Sequence, residues 1–371
     1  MLSILSRIGS FGITIAFLGI FTARAEEVTD PPAQYKSADI IIPAASESEP
    51  KLAEFSAQAA DRYLRDGALA WSREKRCVSC HTNGSYLAVR ASLTSKLGPP
   101  PAEIRDIFID ESRKLAAKDV GTIRSGAKGA TIAYVALGLA EWDTHVAKAL
   151  SAETESALAI LLTAQNENGG WANEDCWPPM ESDMYHATTV AAMALATAPG
   201  WLDNLQDEGT LQQIDRMKQY LRRTDPPHDY GRVLLLWAAT RMPSLLEEQR
   251  KRELVELIWS HQRSDGGWSL RTIAAPEQWG SGNRAEKIRA EPDFEDPPSD
   301  GHMTGLAVLV LRDAGIAVGD PRIKTAVRWL KTNQRASGRW WTRSLNTDTF
   351  HFITFSSTGY ALTALARCDE L

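Results

Sequence analysis

One pattern occurs three times in this chain, and it limits the fold more than any other feature. The strings QNENGGW (165–171), QRSDGGW (262–268) and QRASGRW (334–340) share a Gln, a Gly four residues on and a Trp two further. Each closes an amphipathic, charged segment (SALAILLTAQ, LVELIWSHQ, AVRWLKTNQ), and glycine there supplies the backbone freedom that a helix stop requires. An apolar, small-residue segment follows each loop: ATTVAAMALATA, GLAVLVLRDAG and STGYALTALARC. Alanine and glycine at this density let helices pack closely, and apolarity on every face marks a helix buried on most sides. Amphipathic outer helices therefore alternate with apolar inner ones, as in a repeat architecture.

Extended along the chain, this template predicts outer helices near 51–66, 101–119, 145–166, 204–224, 245–263 and 319–335. Inner helices fall near 78–95, 124–141, 183–198, 228–242, 300–315 and 352–368, which closes one ring. The three Gln-to-Trp loops resemble the QW-type motif of the squalene-hopene cyclase family, and the alternation is similar to the protein prenyltransferase β-subunit and other α6/α6 toroids. The resemblance covers roughly residues 51–368. It implies an all-α fold, a single α6/α6 toroid over 51–371, and in that family an isoprenoid substrate.

Registering the inner helices on Leu195, Trp237 and Leu311 puts His186, His228 and His302 at one level, at the start of their helices. Asp183, Asp225 and Asp300 precede them. In the last repeat the level holds Ser356, with Asp348 and His351 a little earlier, and in the first it falls on His81. A helix N-terminus favours the neutral imidazole that binds metals or acts as a base, and a nearby acid orients such a ring. Asp183, His186, His228, Asp300 and His302 are thus catalytic candidates, and His81, His186, His228 and His302 are candidate metal ligands. The plainer alternative is that these residues cap helices and stack on tryptophans.

The cyclase resemblance also shows a departure. The family's initiating acid lies in a D-x-D-D-T-A run, where this chain has Met184-Tyr185-His186-Ala187-Thr188-Thr189, so an imidazole takes the place of the protonating aspartate. Imidazole is a far weaker acid toward an alkene, and squalene cyclisation is not expected. Asp183-Met184-Tyr185-His186 looks like the prenyltransferase D-x-Y-H run with its zinc histidine. The Asp-x-Cys partner has no match around Ala130 to Glu141.

Cys77-Val78-Ser79-Cys80-His81 has the spacing of c-type haem attachment, two thiols for the haem vinyl groups and an axial histidine. Two other chemistries fit the same residues: a zinc site using Cys77, Cys80, His81 and one ring histidine, or a Cys77–Cys80 disulfide. Met184, Met303, His186, His228 and His302 are candidates for a second axial ligand. Cys176 and Cys368 lie far apart in sequence.

The chain opens with Arg7, an apolar run from Phe11 to Phe21 and Ala23-Arg24-Ala25, which reads as a secretory signal peptide over 1–25. The run is too short for a membrane anchor, because crossing a bilayer takes roughly 20 residues. A periplasmic or secreted protein is expected, with no transmembrane segment after cleavage. Residues 26–50 mix prolines, serines and acids and read as a flexible lead-in or a strap against the domain. A net charge of −6 gives no basic footprint for nucleic acid.

Three functions follow from these features. In the first, a haem or metal centre at the cavity mouth does redox chemistry or ligand binding, with a small hydrophobic ligand or a redox partner. In the second, an isoprenoid enzyme stabilises carbocations with Tyr134, Trp142, Tyr185, Trp237 and Tyr360. In the third, the ring is a non-catalytic scaffold for protein or glycan contact. The long segment from Trp268 to Asp300 reads as a lid over the cavity.

Overall fold

The computed structural model describes residues 32–173 and 177–371. The expected signal peptide and Cys176 lie outside the described residues. The two strands β1 (Ala33–Ser37) and β2 (Ile40–Pro43) form an antiparallel hairpin. The outer helices are α1 (Ala57–Lys75), α3 (Ala102–Ala116), α5 (Ala152–Thr163), α7 (Glu208–Arg223), α9 (Glu248–Ser260) and α11 (Pro321–Asn333). The inner ones are α2 (Ser85–Arg90), α4 (Lys128–Trp142), α6 (Met184–Thr197), α8 (Asp229–Arg241), α10 (Gly301–Asp313) and α12 (Ile353–Arg367). Short polar side chains stop the preceding loops: Ser56, Ser151, Asp183, Asp207, Asp300 and Asp320 each accept a backbone N–H of the helix they open.

Neighbouring inner helices touch in the cyclic order α2, α4, α6, α8, α10, α12 and back to α2, so the ring closes. The architecture is the α/α toroid, with outer and inner helices alternating as the repeat predicts. The first outer helix differs from expectation, starting at Ala57 and running to Lys75. Lys51 and Leu52 are held instead by pairing with Arg335 and Gln334, and Ser56 then caps the helix. The first inner helix is also irregular, since a π turn at Cys80–Gly84 leads into α2.

The QW loops are the joints between repeats. Trp171, Trp268 and Trp340 are fully buried, and each indole N–H donates to a carbonyl of its own outer helix, on Leu161, Ile258 and Leu330, at 2.7–2.8 Å. Their backbone N–H groups reach Thr188, Thr304 and Thr358 on the next inner helix. Gln165, Gln262 and Gln334 donate to carbonyls at the next outer helix, on Gln213, Arg322 and Ser56. The last of these joins the end of the ring to its beginning.

The lead-in, from residue 32 to 50, forms a strap rather than a loose tail. Tyr35 and Ile42 are buried, Glu49 pairs with Arg339 at 2.6 Å, and Arg339 also donates to the Pro43 and Ala44 carbonyls. Among the described residues no helix is long and apolar enough to cross a membrane.

Candidate functional site

Alternation of outer and inner helices makes all six inner helices run parallel, so their N-terminal ends gather at one end of the ring. There the structure brings together most of the residues singled out in the sequence. His186 and His302 are buried on α6 and α10, His228 caps α8, and Ser356 stands on α12. Ser356 Oγ lies 3.1 Å from His302 Nδ1, at the level that the helix register assigns to it.

The histidines do not form a ligand set. Tyr230 stands between His186 and His302, nearly parallel to both rings at centroid distances of 6.2 and 5.8 Å. Its hydroxyl bonds His302 Nε2 at 3.0 Å, while Tyr134 bonds His186 Nε2 at 3.0 Å. Both hydroxyls lie 4.0 Å from Met180 Sδ. Tyrosines therefore occupy Nε2 of His186 and of His302, whereas His186 Nδ1 and His228 Nε2 have no hydrogen-bond partner, and among the described residues no three His, Cys, Asp or Glu side chains converge on a metal position. Burial pushes His186 down to about 4 and His302 down to about 3, with the neighbouring imidazoles adding to the effect, so both rings are neutral.

The preceding acids do varied work. Asp183 caps α6 through the His186 N–H at 2.8 Å, and its other oxygen lies 3.5 Å from His228 Nε2. Asp300 holds the N–H groups of Leu270 and Met303 and does not reach the His302 ring. Asp225 is spent on Arg232 at the surface, as Asp348 is on Lys287. The long segment after Trp268 lays Trp279 on His228 at 4.5 Å and on Tyr230 at 5.7 Å, which covers that side of the centre.

Beside this packed layer opens a pocket of about 300 Å³. Cys80, His81 and Trp71 line one part of it, Met180, Glu181 and the Trp177–Pro179 stretch another, and Phe352 and Asn346 complete it. Trp177 is 53% exposed, a large apolar surface at a pocket lip. The His81 ring is held between Trp71 at 5.0 Å and Phe352 at 4.9 Å, and Thr82 Oγ1 is 2.9 Å from its Nδ1. Burial lowers its pKa to about 4, which keeps it neutral. Cys77 and Cys80 are not joined to each other. Cys77 is half-buried against Trp71, next to the lining residue Val78, and burial raises its pKa.

Sequence reasoning missed Met180 and Glu181. Glu181 has a left-handed backbone (φ +57), and burial raises its carboxyl against the opposing bond to Cys80. Their positions, a few residues before the Asp183 cap, are the only signal in the sequence. Met184 and Met303, expected as axial candidates, do not line the pocket; Met303 is fully buried elsewhere and Met184 sits beside Asn168. Of the aromatic candidates, Tyr134 and Tyr360 face the centre, whereas Tyr185 bonds the Leu221 carbonyl and Trp237 bonds Asp313 at the opposite end.

Fold and site together define a toroid with a packed His-Tyr layer and a small apolar pocket at one end. No protein-family model matches the chain, and no curated protein matches it. Solved structures do. A protein from Actinoplanes is 12% identical with a TM-score of 0.51, over 85% of this chain and 100% of that one. A glycosidase in complex with glucose is 11% identical with a TM-score of 0.54, over 85% and 98%. A type II terpene cyclase, MstE from Scytonema, is 14% identical with a TM-score of 0.47, over 85% and 98%. At these identities the likeness is one of fold alone.

Proposed function

We propose that this chain is an exported haem-bearing toroid in which Cys77 and Cys80 hold a c-type haem and His81 is its axial ligand. Its role would be electron transfer or redox chemistry at that centre. The observation that carries the reading is the apolar pocket that opens on Cys80 and His81. Supporting it are Cys77 and Cys80 at the attachment spacing and not joined to each other, Cys80 and His81 in the pocket wall with Cys77 adjoining it, and an imidazole whose Nδ1 is engaged by Thr82, which leaves Nε2 for a metal. When bound, the haem supplies a one-electron couple tuned by its axial ligands and surroundings.

The chain's own residues have separable tasks in this reading. Trp71 and Phe352 hold the His81 ring, the Trp177–Glu181 stretch excludes water, and the exposed Trp177 covers the lip. Met180 is the thioether that lines the same pocket, and it is a better candidate for a second ligand than Met184 or Met303. The test is an absorption spectrum of residues 26–371 exported by a host with c-type maturation. A Soret band that survives denaturation and is lost in Cys77→Ala with Cys80→Ala is expected. A colourless wild type contradicts the proposal.

A second reading rests on Glu181. Its carboxyl pKa is raised by burial in a pocket lined by Trp71, Trp177 and Phe352, which suits an acid acting on an isoprenoid alkene. In that case a colourless protein would bind a polyprenyl alcohol with quenching of tryptophan fluorescence, and Glu181→Gln would bind without turning it over.

A further inference from the structure

The pocket holds more hydrogen-bond acceptors than its own chain satisfies. Asn346 donates through Nδ2 to the Pro178 carbonyl at 2.8 Å, which fixes the orientation of its amide, since a carbonyl takes only a donor. Its Oδ1 is left buried with no partner among the described residues, as is Ser79 Oγ on the same lining. A polar atom kept from water and unpaired costs stability, so each asks for a group that arrives from outside.

Charge narrows what that group can be. Among the described lining residues there is no lysine or arginine, and His81 is neutral. Glu181 is the acid of the lining, and its left-handed backbone (φ +57) is one that a residue with a side chain seldom adopts. Burial raises its carboxyl, with the Cys80 bond and Lys128 opposing, and a cation seated against it would favour the ionised form. Trp71, Phe352 and Ile353 supply an apolar wall, and a void of about 300 Å³ has room for a small ring-bearing molecule.

We infer that this pocket binds a protonated primary amine carrying a short apolar or aromatic group, its ammonium donating to Glu181, Asn346 Oδ1 and Ser79 Oγ and its apolar part lying on Trp71 and Phe352. An ammonium head has three donors and no acceptor, which suits two unpaired oxygens beside a carboxylate. A quaternary ammonium would bring the charge without a donor, and an alcohol a donor without the charge. The inference uses neither thiol nor a metal, so it stands apart from the haem reading, and it does not ask Glu181 to act as an acid.

The experiment is a calorimetric titration of residues 26–371, exported as above, with phenethylamine, its N-trimethylated form and phenethyl alcohol, at a pH where the amine is protonated. The primary amine should bind stoichiometrically, and each of the other two about tenfold or more weakly. Glu181→Gln should bring the amine down to the level of the alcohol and leave the alcohol unchanged. Ser79→Ala, which removes a hydroxyl without a partner, should weaken the primary amine a few-fold and leave the trimethylated form unchanged. Should Glu181→Gln not fold, the order of the three probes on the wild type reads the same point. Equal affinity for all three, or no binding of the amine, overturns the inference. Intact mass reads the haem separately. An amine that binds a chain of bare mass upholds the inference and overturns the haem reading, and a haem-bearing chain that takes no amine does the reverse.

Discussion

Met180 is where two tyrosine–histidine pairs meet, and the imidazoles in both pairs are neutral for the same reason. Tyr134 with His186 and Tyr230 with His302 are buried together, and each ring nitrogen that faces a tyrosine is bonded at 3.0 Å. His302 has a folded pKa of about 3, below its ordinary 6.5, because of burial and then the His186 ring. The groups around it are Tyr230, Ser356 and Tyr360, none of them charged near neutral pH. As pH falls below 6.5 the unfolded chain takes up the proton first, so stability present above 6.5 is lost progressively toward about 3. Urea unfolding across that range should show the loss, and His302→Gln should flatten the slope.

At the scale of elements, the QW loops decide how the repeats are joined. Gly338 has φ +94, and a Cβ there would sit on the Ala59 carbonyl of α1; Gly169 and Gly266 stand alike against Arg216 and Thr325. Strain and clash together should cost Gly338→Ala about 1–3 kcal/mol, read as a lower urea midpoint. Gln334→Ala removes both bonds to Ser56 across the ring closure, at 2.8 and 2.9 Å, and leaves buried partners unsatisfied. A loss of about 1–3 kcal/mol is expected there too.

The helices were legible because their pattern is local: a stop glycine, an anchoring Trp and an apolar run recur at each repeat. The histidine level was legible for the same reason, since it needs only the register of the inner helices. The placement of Tyr230 between the imidazoles and of Tyr134 on His186 was not, because it depends on how neighbouring helices face one another. The strap was legible only as one of two alternatives, because its partners Arg335 and Arg339 lie nearly 300 residues away in sequence. Met180 and Glu181 fall in an irregular stretch with no period to read.

For the whole molecule, parallel inner helices give the ring two unlike ends. Opposite the pocket, Glu141 is 1% exposed and is bound by Arg241 and by His145 at 3.2 Å, while Asp313 takes Arg367 at 2.9 Å and the Trp237 indole at 3.2 Å. Burial alone would raise the Glu141 carboxyl, yet Arg241 and His145 outweigh it and hold it below its usual range. Arg241→Ala leaves that charge buried beside His145 alone, and a destabilisation of roughly 3–5 kcal/mol should follow in urea. The spectrum of a haem-loaded protein should be unaffected in the native baseline, because the pocket is at the other end.

The central claim is that Cys77 and Cys80 bind haem covalently, and the intact mass under denaturing conditions tests it most directly. Residues 26–371, exported by a host that attaches c-type haem, should have the mass of the chain plus one haem, carried on the peptide that contains Cys77 and Cys80. A mass equal to the bare chain, with both cysteines free or joined to each other, would contradict it.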